Sequence, residues 1–239
     1  MKKNRTTKIL EIGCGQGFNT QMLAKNKKND VIGIDLSKND IKIAKKRYPT
    51  VHFEAMNAEK LKFLDNSFDK IYAMDVLEHV DSIQKVAKEI SRVLKKKGIL
   101  VVNIPFYKSE KWLSKVRPTY FKEIHHVRVF KEKELEEVLE KQGLYVKKKS
   151  RRGFIQHIEL YILLKRKVKS KTQLSIGSWR DNIFTKSVHA MVLYFEPLVL
   201  STPLVYIPIW IITIPLGYVI NFFGNLVFPK SYYYEFIKK

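Results

Sequence analysis

The sequence predicts an α/β protein: a doubly wound, mostly parallel, seven-stranded sheet followed by a C-terminal helical, membrane-associated tail. Three observations predict it. Short apolar runs alternate with helix-spaced segments over the first two thirds of the chain, and strands that are apolar throughout belong to parallel sheets covered on both faces. The first of these runs breaks into Gly13, Gly15 and Gly17, glycines at alternate positions. From Pro197 to Pro229 no residue is charged, about 33 positions where roughly 20 suffice to cross a bilayer.

Taken in order, Lys8 to Ile12 is a first strand ending beside Glu11, and Phe18 to Lys27 a helix with Phe18, Met22 and Leu23 at helical spacing. Asn29-Asp30 marks a turn, and Val31 to Asp35 a second strand ending in an acid. Ser37 is a natural N-cap for a helix that stops at Pro49. Val51 to Ala55 is a third strand, 57–66 a loop, and Ser67 to Met74 a fourth strand with Asp75 at its end. Asp81 or Ser82 caps a helix through Lys95, stopped by Gly98, and Ile99 to Ile104 is a fifth strand. Phe106 to Phe130 reads as an irregular, aromatic and basic insertion over the rim of the sheet. Lys131 to Gln142 is a charged amphipathic helix, and 144–149 and 155–164 are two closing strands. Right-handed crossovers wind such a sheet on both faces, with ligands at the carboxyl ends of its strands. Glu11, Asp35 and Asp75 all fall at such ends. One acid there is unremarkable, but three on one rim indicate a polar ligand.

The formal charge is +22, with lysine far more frequent than arginine. It fits a solvated lysine-rich surface, anionic lipid or nucleic acid. A lone cysteine, Cys14, excludes an internal disulfide and fits a reducing compartment. The basic N-terminus is followed by too short an apolar run for a signal peptide.

A basic run at 165–171 divides the chain into a ligand-binding domain, 1–166, and a basic linker with an apolar tail, 167–239. Pro203, Pro208 and Pro215 would kink a span, so a re-entrant hairpin competes with a single crossing. Residues 183–195 suit the interface, and Tyr232, Tyr233 and Tyr234 suit a headgroup zone. The basic residues before the run place the first domain on the cytoplasmic side.

Four blocks carry a resemblance: LEIGCGQG at 10–17, GIDLS at 33–37, NAEKLKFLDNSFDKIYAMDVLEHV at 57–80 and VLKKKGILVVNIP at 93–105. Together they resemble class I S-adenosylmethionine-dependent methyltransferases of the small-molecule and quinone-biosynthesis type, over roughly 8–165. The resemblance implies a Rossmann-like fold and S-adenosyl-L-methionine as cofactor. It implies that Gly13, Gly15 and Gly17 pass close under the methionine part and ribose, with Glu11 toward the cationic end. Asp35 would accept from the ribose hydroxyls, and Leu36, Ala58 and Asp75 would complete the cofactor set. Asn57 stands where the family usually has Asp accepting from the adenine amino group; its amide oxygen can still accept. A dinucleotide fingerprint would want G-x-G-x-x-G, and Phe18 occupies the place of its third glycine.

The expected reaction is methyl transfer to a small-molecule or lipid-linked acceptor at the membrane. An RNA methyltransferase and a non-catalytic, membrane-tethered cofactor-binding module are the alternatives. Nucleic acid is not the expected partner, because Asp75-Val76-Leu77-Glu78 replaces the (N/D)-P-P-(Y/F) block of amino-methylating enzymes. If the acceptor must lose a proton, His79, His125 and Tyr107 are the candidate catalytic groups, with His126 beside them. No metal is assigned, although Asp75, Glu78 and His79 keep the pattern of a cation cluster known from related O-methyltransferases.

Overall fold

The computed structural model describes residues 6–131, 133–152, 226 and 229–239. Its strands are β1 (Thr7–Ile12), β2 (Asn29–Asp35), β3 (His52–Ala55), β4 (Phe68–Met74), β5 (Leu94–Pro105), β6 (Leu144–Arg152) and β7 (Ser231–Lys238). They form one seven-stranded sheet in the order β3-β2-β1-β4-β5-β7-β6. The first five strands pair in parallel, and β7 runs antiparallel to β5. The helices are α1 (Phe18–Ala24), α2 (Lys38–Arg47), α3 (Ile83–Val93), α4 (Tyr107–Val116), α5 (Tyr120–Ile124) and α6 (Glu134–Glu140).

The helix starts follow local chemistry. The Ser37 hydroxyl accepts from the Asp40 amide and the Ser82 hydroxyl from the Lys85 amide, each satisfying one of the donors that a helix leaves unbonded at its start. Ile83, Val86, Ala87, Ile90 and Val93 put one buried stripe of α3 against the sheet. A second cluster, on Cys14, Ile41, Ala44 and Phe53, holds α2 in place.

The far side of the sheet departs from expectation. Strand β7 pairs Phe236 with Leu100, Tyr234 with Val102 and Tyr232 with Ile104. All three aromatic rings are buried in the main core. Tyr232 and Tyr234 therefore pack against apolar side chains and cannot serve a headgroup zone, and Tyr233 shares their strand. The expected C-terminal membrane helix is corrected with them: among the described residues no helix is long and apolar enough to cross a membrane. The membrane-side acceptor and the membrane location on the cytoplasmic side rested on that helix, and no described helix supports them. The apolar run, the interfacial segment at 183–195 and the strand expected at 155–164 lie outside the described residues, apart from Leu226 and Pro229.

The chain divides into two compact units. The first holds residues 1–107, 127–150 and 231–239, the second 108–126 and 151–230. In the second unit, the stretch expected to be irregular holds α5 and most of α4. There the buried carboxylate of Glu110 accepts from the Tyr120 hydroxyl at 2.8 Å and lies 2.8 Å from Nδ1 of His126. Ser109 and Glu110 are buried on α4, so polar residues occupy part of its inner face and the apolar periodicity that announces a helix is broken.

Candidate active site

The order β3-β2-β1-β4 places four loops side by side at the carboxyl ends of parallel strands. They are the glycine turn after β1, Leu36 after β2, Asn57 and Ala58 after β3, and Asp75 after β4.

Each glycine of the turn has a left-handed φ: +73° at Gly13, +49° at Gly15 and +85° at Gly17. Their surroundings separate them. A Cβ on Gly13 would lie 2.5 Å from Cγ2 of Val76, and one on Gly17 would lie 2.6 Å from Cζ of Phe53. These two glycines serve packing and turn conformation together. A Cβ on Gly15 would meet nothing within 4 Å, so Gly15 is where the bare backbone borders open space.

Asp35 ties that turn to the next loop. Its Oδ2 accepts from the Gly15 amide at 2.8 Å and its Oδ1 from the Ser37 amide at 2.9 Å. Each oxygen keeps acceptor capacity for a further donor. Leu36 beside it is 73% exposed, an apolar face turned to solvent next to a fixed carboxylate. The Asn57 Oδ1 accepts from the Glu59 amide at 2.8 Å, so the side-chain oxygen expected to read a ligand already closes a local turn. Asp75 has φ +54°, its amide bonds the Asn103 carbonyl, and its Oδ1 accepts from the Asn103 side-chain amide at 2.6 Å.

Glu11 is 2% exposed. Its register partners are Gly33 on β2 and Tyr72 on β4. The Thr20 hydroxyl of α1 donates to its Oε2 at 2.5 Å. Burial pushes the carboxyl up to about 7; bonds from Thr20 and Asn19 oppose this, and the charge of Asp35 adds to it. A Cβ at Gly33 would lie 2.7 Å from the Thr20 hydroxyl, so the missing side chain leaves that hydroxyl its place. Thr20 and Gly33 were not among the expected site residues. The available signal was a glycine inside a strand, which marks a close approach. Burial, reinforced by Asp35 and Glu11, raises the Cys14 thiol, so it is an inert packing group.

Of the proposed proton acceptors, His79 is exposed in the turn after β4, where its amide bonds the Val76 carbonyl. Tyr107 opens α4 at the edge of the first unit. His125 belongs to the second unit, where it caps α5 with φ +58°.

Residues 10–102 match the family described as a methyltransferase domain. Over 120 residues the chain is 32% identical to demethylmenaquinone methyltransferase of Chlorobaculum parvum, covering 50% of each protein. Over 105 residues it is 35% identical to ubiquinone biosynthesis O-methyltransferase of Pelagibacter ubique, covering 42% of this chain and 43% of the relative. Phosphoethanolamine N-methyltransferase 2 of Haemonchus contortus, solved with S-adenosyl-L-methionine, shares the fold with a TM-score of 0.61 at 18% identity, over 98% of this chain and 49% of that one. These matches span between 31% and 50% of the length of the curated relatives. Residues 10–102 thus form a methyltransferase domain, for which S-adenosyl-L-methionine is the expected cofactor.

Proposed function

We propose that the protein transfers a methyl group from S-adenosyl-L-methionine to a small-molecule acceptor, with quinone-type rings the first class to test. The observation that carries this reading is the Asp35 carboxylate, fixed by the Gly15 and Ser37 amides where the backbone borders open space. The ribose hydroxyls would donate to its remaining lone pairs, and Leu36 would lie under the adenine with Ala58 beside it. Gly13, Gly15 and Gly17 would admit the cofactor to the turn. Asn57, its oxygen engaged by Glu59, would offer its NH2 group to a ring nitrogen. Glu11 and Asp75 would supply negative charge toward the cationic amino acid end.

The cofactor, when bound, supplies a methyl already activated on a sulfonium. The protein's share is then to align the acceptor and exclude water. For a hydroxyl acceptor, His79, Tyr107 or His125 would take the proton. The quinone class is favoured because two of the relatives are named as demethylmenaquinone methyltransferase and ubiquinone biosynthesis O-methyltransferase.

Calorimetry on the full chain tests the cofactor. Binding of S-adenosyl-L-methionine is expected, weakened at least tenfold by Asp35→Ala. Unchanged affinity in that variant would remove the proposed ribose contact, and no binding at millimolar cofactor would sink the reading. Incubation with demethylated quinols, read by mass spectrometry for a gain of one methyl, tests the acceptor class.

A further inference from the structure

Beneath the glycine turn lies Glu11, the buried acid proposed above to face the cationic end of the cofactor. Glu11 is buried among residues of β2, β4 and α1. Gly33 and Tyr72 flank it in register on β2 and β4. The Thr20 hydroxyl bonds it from α1, where Asn19 precedes Thr20, Cys14 lies in the turn above, and Asp35 stands at the end of β2. The charged or titratable groups around it are therefore a thiol, a phenol and a second acid. No ion pair to Glu11 exists among the described residues. Two carboxyls thus share one rim with no cation to balance them, and the inner one is out of water.

Such a group is governed by what arrives. Desolvation and a neighbouring acid both favour the neutral carboxyl, and burial holds Glu11 at about 7. S-adenosyl-L-methionine brings an ammonium and a sulfonium against a single carboxylate. A net positive ligand above a half-protonated buried acid favours the ionised form.

We infer that the Glu11–Thr20 pair couples cofactor capture to protonation: the cofactor binds the ionised carboxyl, and its arrival expels a proton from Glu11 to solvent. Thr20 is the positioning residue of the pair, because its hydroxyl donates to the carboxylate and favours the state that binds. Gly33 is the position that admits it. The inference rests on the proposed cofactor reading and adds a pH dependence to it. Affinity rises as pH rises toward neutrality and levels off above it, and the cofactor occupies the site less readily in acid.

The test is calorimetry of the full-length protein with S-adenosyl-L-methionine at neutral pH, in buffers of different ionisation enthalpy, followed by a pH series. About half a proton should leave per cofactor bound near pH 7. Affinity should rise roughly 25-fold between about pH 5.5 and 7.5. In Glu11→Gln that release should vanish and the profile should flatten. Thr20→Val should move the midpoint of the profile upward, a change that a purely structural hydroxyl would not produce. Adenosine, which engages the Asp35 end without a cation, should bind with no proton released.

Binding with identical heats in all buffers would overturn the coupling while leaving the cofactor reading intact. Proton release that persists undiminished in Glu11→Gln would assign it elsewhere and also overturn it. If Glu11→Gln does not fold, the buffer series on the unaltered protein and the Thr20→Val midpoint decide the matter. No binding at any pH would defeat the cofactor reading and this inference together.

Discussion

The two halves of the sheet are built in different ways. The half that carries the candidate site, β3-β2-β1-β4, comes from one continuous stretch between Thr7 and Met74. Each of its strands lies within a few dozen residues of its neighbour. The other half, β5-β7-β6, gathers strands from 94–105, 231–238 and 144–152. The first half is constrained at its loops, where left-handed glycines and a tethered acid leave little freedom. The second is constrained in its interior, by the aromatic rings of β7. Site chemistry and sheet closure are thus carried by different residues, and substitutions should separate them.

The largest effect is expected in the closing half. Phe236→Ala removes a fully buried ring and should cost about 3–5 kcal/mol in urea unfolding. Cofactor affinity, measured where the variant is still folded, should stay within about twofold. A loss of affinity as large as the loss of stability would show the halves to be one element and would break the comparison.

Within the site half, Gly17→Ala and Gly15→Ala should part. Gly17→Ala combines a left-handed φ with a Cβ at 2.6 Å from the Phe53 ring, so a cost of about 2–4 kcal/mol is expected. Gly15→Ala meets open space and should cost about 1–2 kcal/mol for its φ alone. Its effect on cofactor binding should be the greater of the two, read by calorimetry at a temperature where both variants are folded.

Glu11→Gln comes next and sharpens the contrast through pH. The carboxyl titrates at about 7 in the folded chain against a reference of 4.5. Between those values the native state holds a proton that the unfolded chain has released. Stability without cofactor therefore falls as pH rises from about 4.5 to about 7 and stays low above that. Removing the acid should raise stability above pH 7 by up to about 3 kcal/mol and leave it little changed below pH 4.5. Thermal unfolding over that range checks it, and a stability that climbs through the same window would contradict the sign.

The smallest effect expected is that of Lys238→Ala. The Lys238 ammonium donates to the carbonyls of Ser91 and Leu94 and to the Asn66 side chain. It bonds carbonyls at the end of α3 that the helix leaves open. A loss of about 1–2 kcal/mol is expected, with cofactor binding unaltered.

Legibility in the sequence follows the same division. In the site half, strand, turn and helix succeed one another within a few residues. Apolar runs, the glycine turn, the caps at Ser37 and Ser82 and the acid at Asp35 could therefore be read locally. In the closing half, Tyr232, Tyr234 and Phe236 alternate as a half-buried strand should. Following a long uncharged run, however, Tyr232 and Tyr234 read as a headgroup anchor. Their partners on β5 are more than a hundred residues away, and no local pattern records such a pairing. The Glu11–Thr20 bond was hidden for a related reason: a threonine in a helix looks like a surface residue until Gly33 is seen to make room for it.

The place of β7 in the sheet sets an order of assembly. Strand β6 borders β7 alone, and β7 lies between β6 and β5. Although β6 comes earlier in the chain, it has no edge to join until β7 is seated. Seating β7 against β5 closes a loop from 105 to 231, an entropic cost that nothing local offsets beforehand. High contact order of this kind slows folding. During that delay β5 presents an open, apolar edge, the kind of edge through which chains associate. Refolding at low protein concentration should therefore recover more native protein than refolding at high concentration, and the slow step should be the arrival of the last strand.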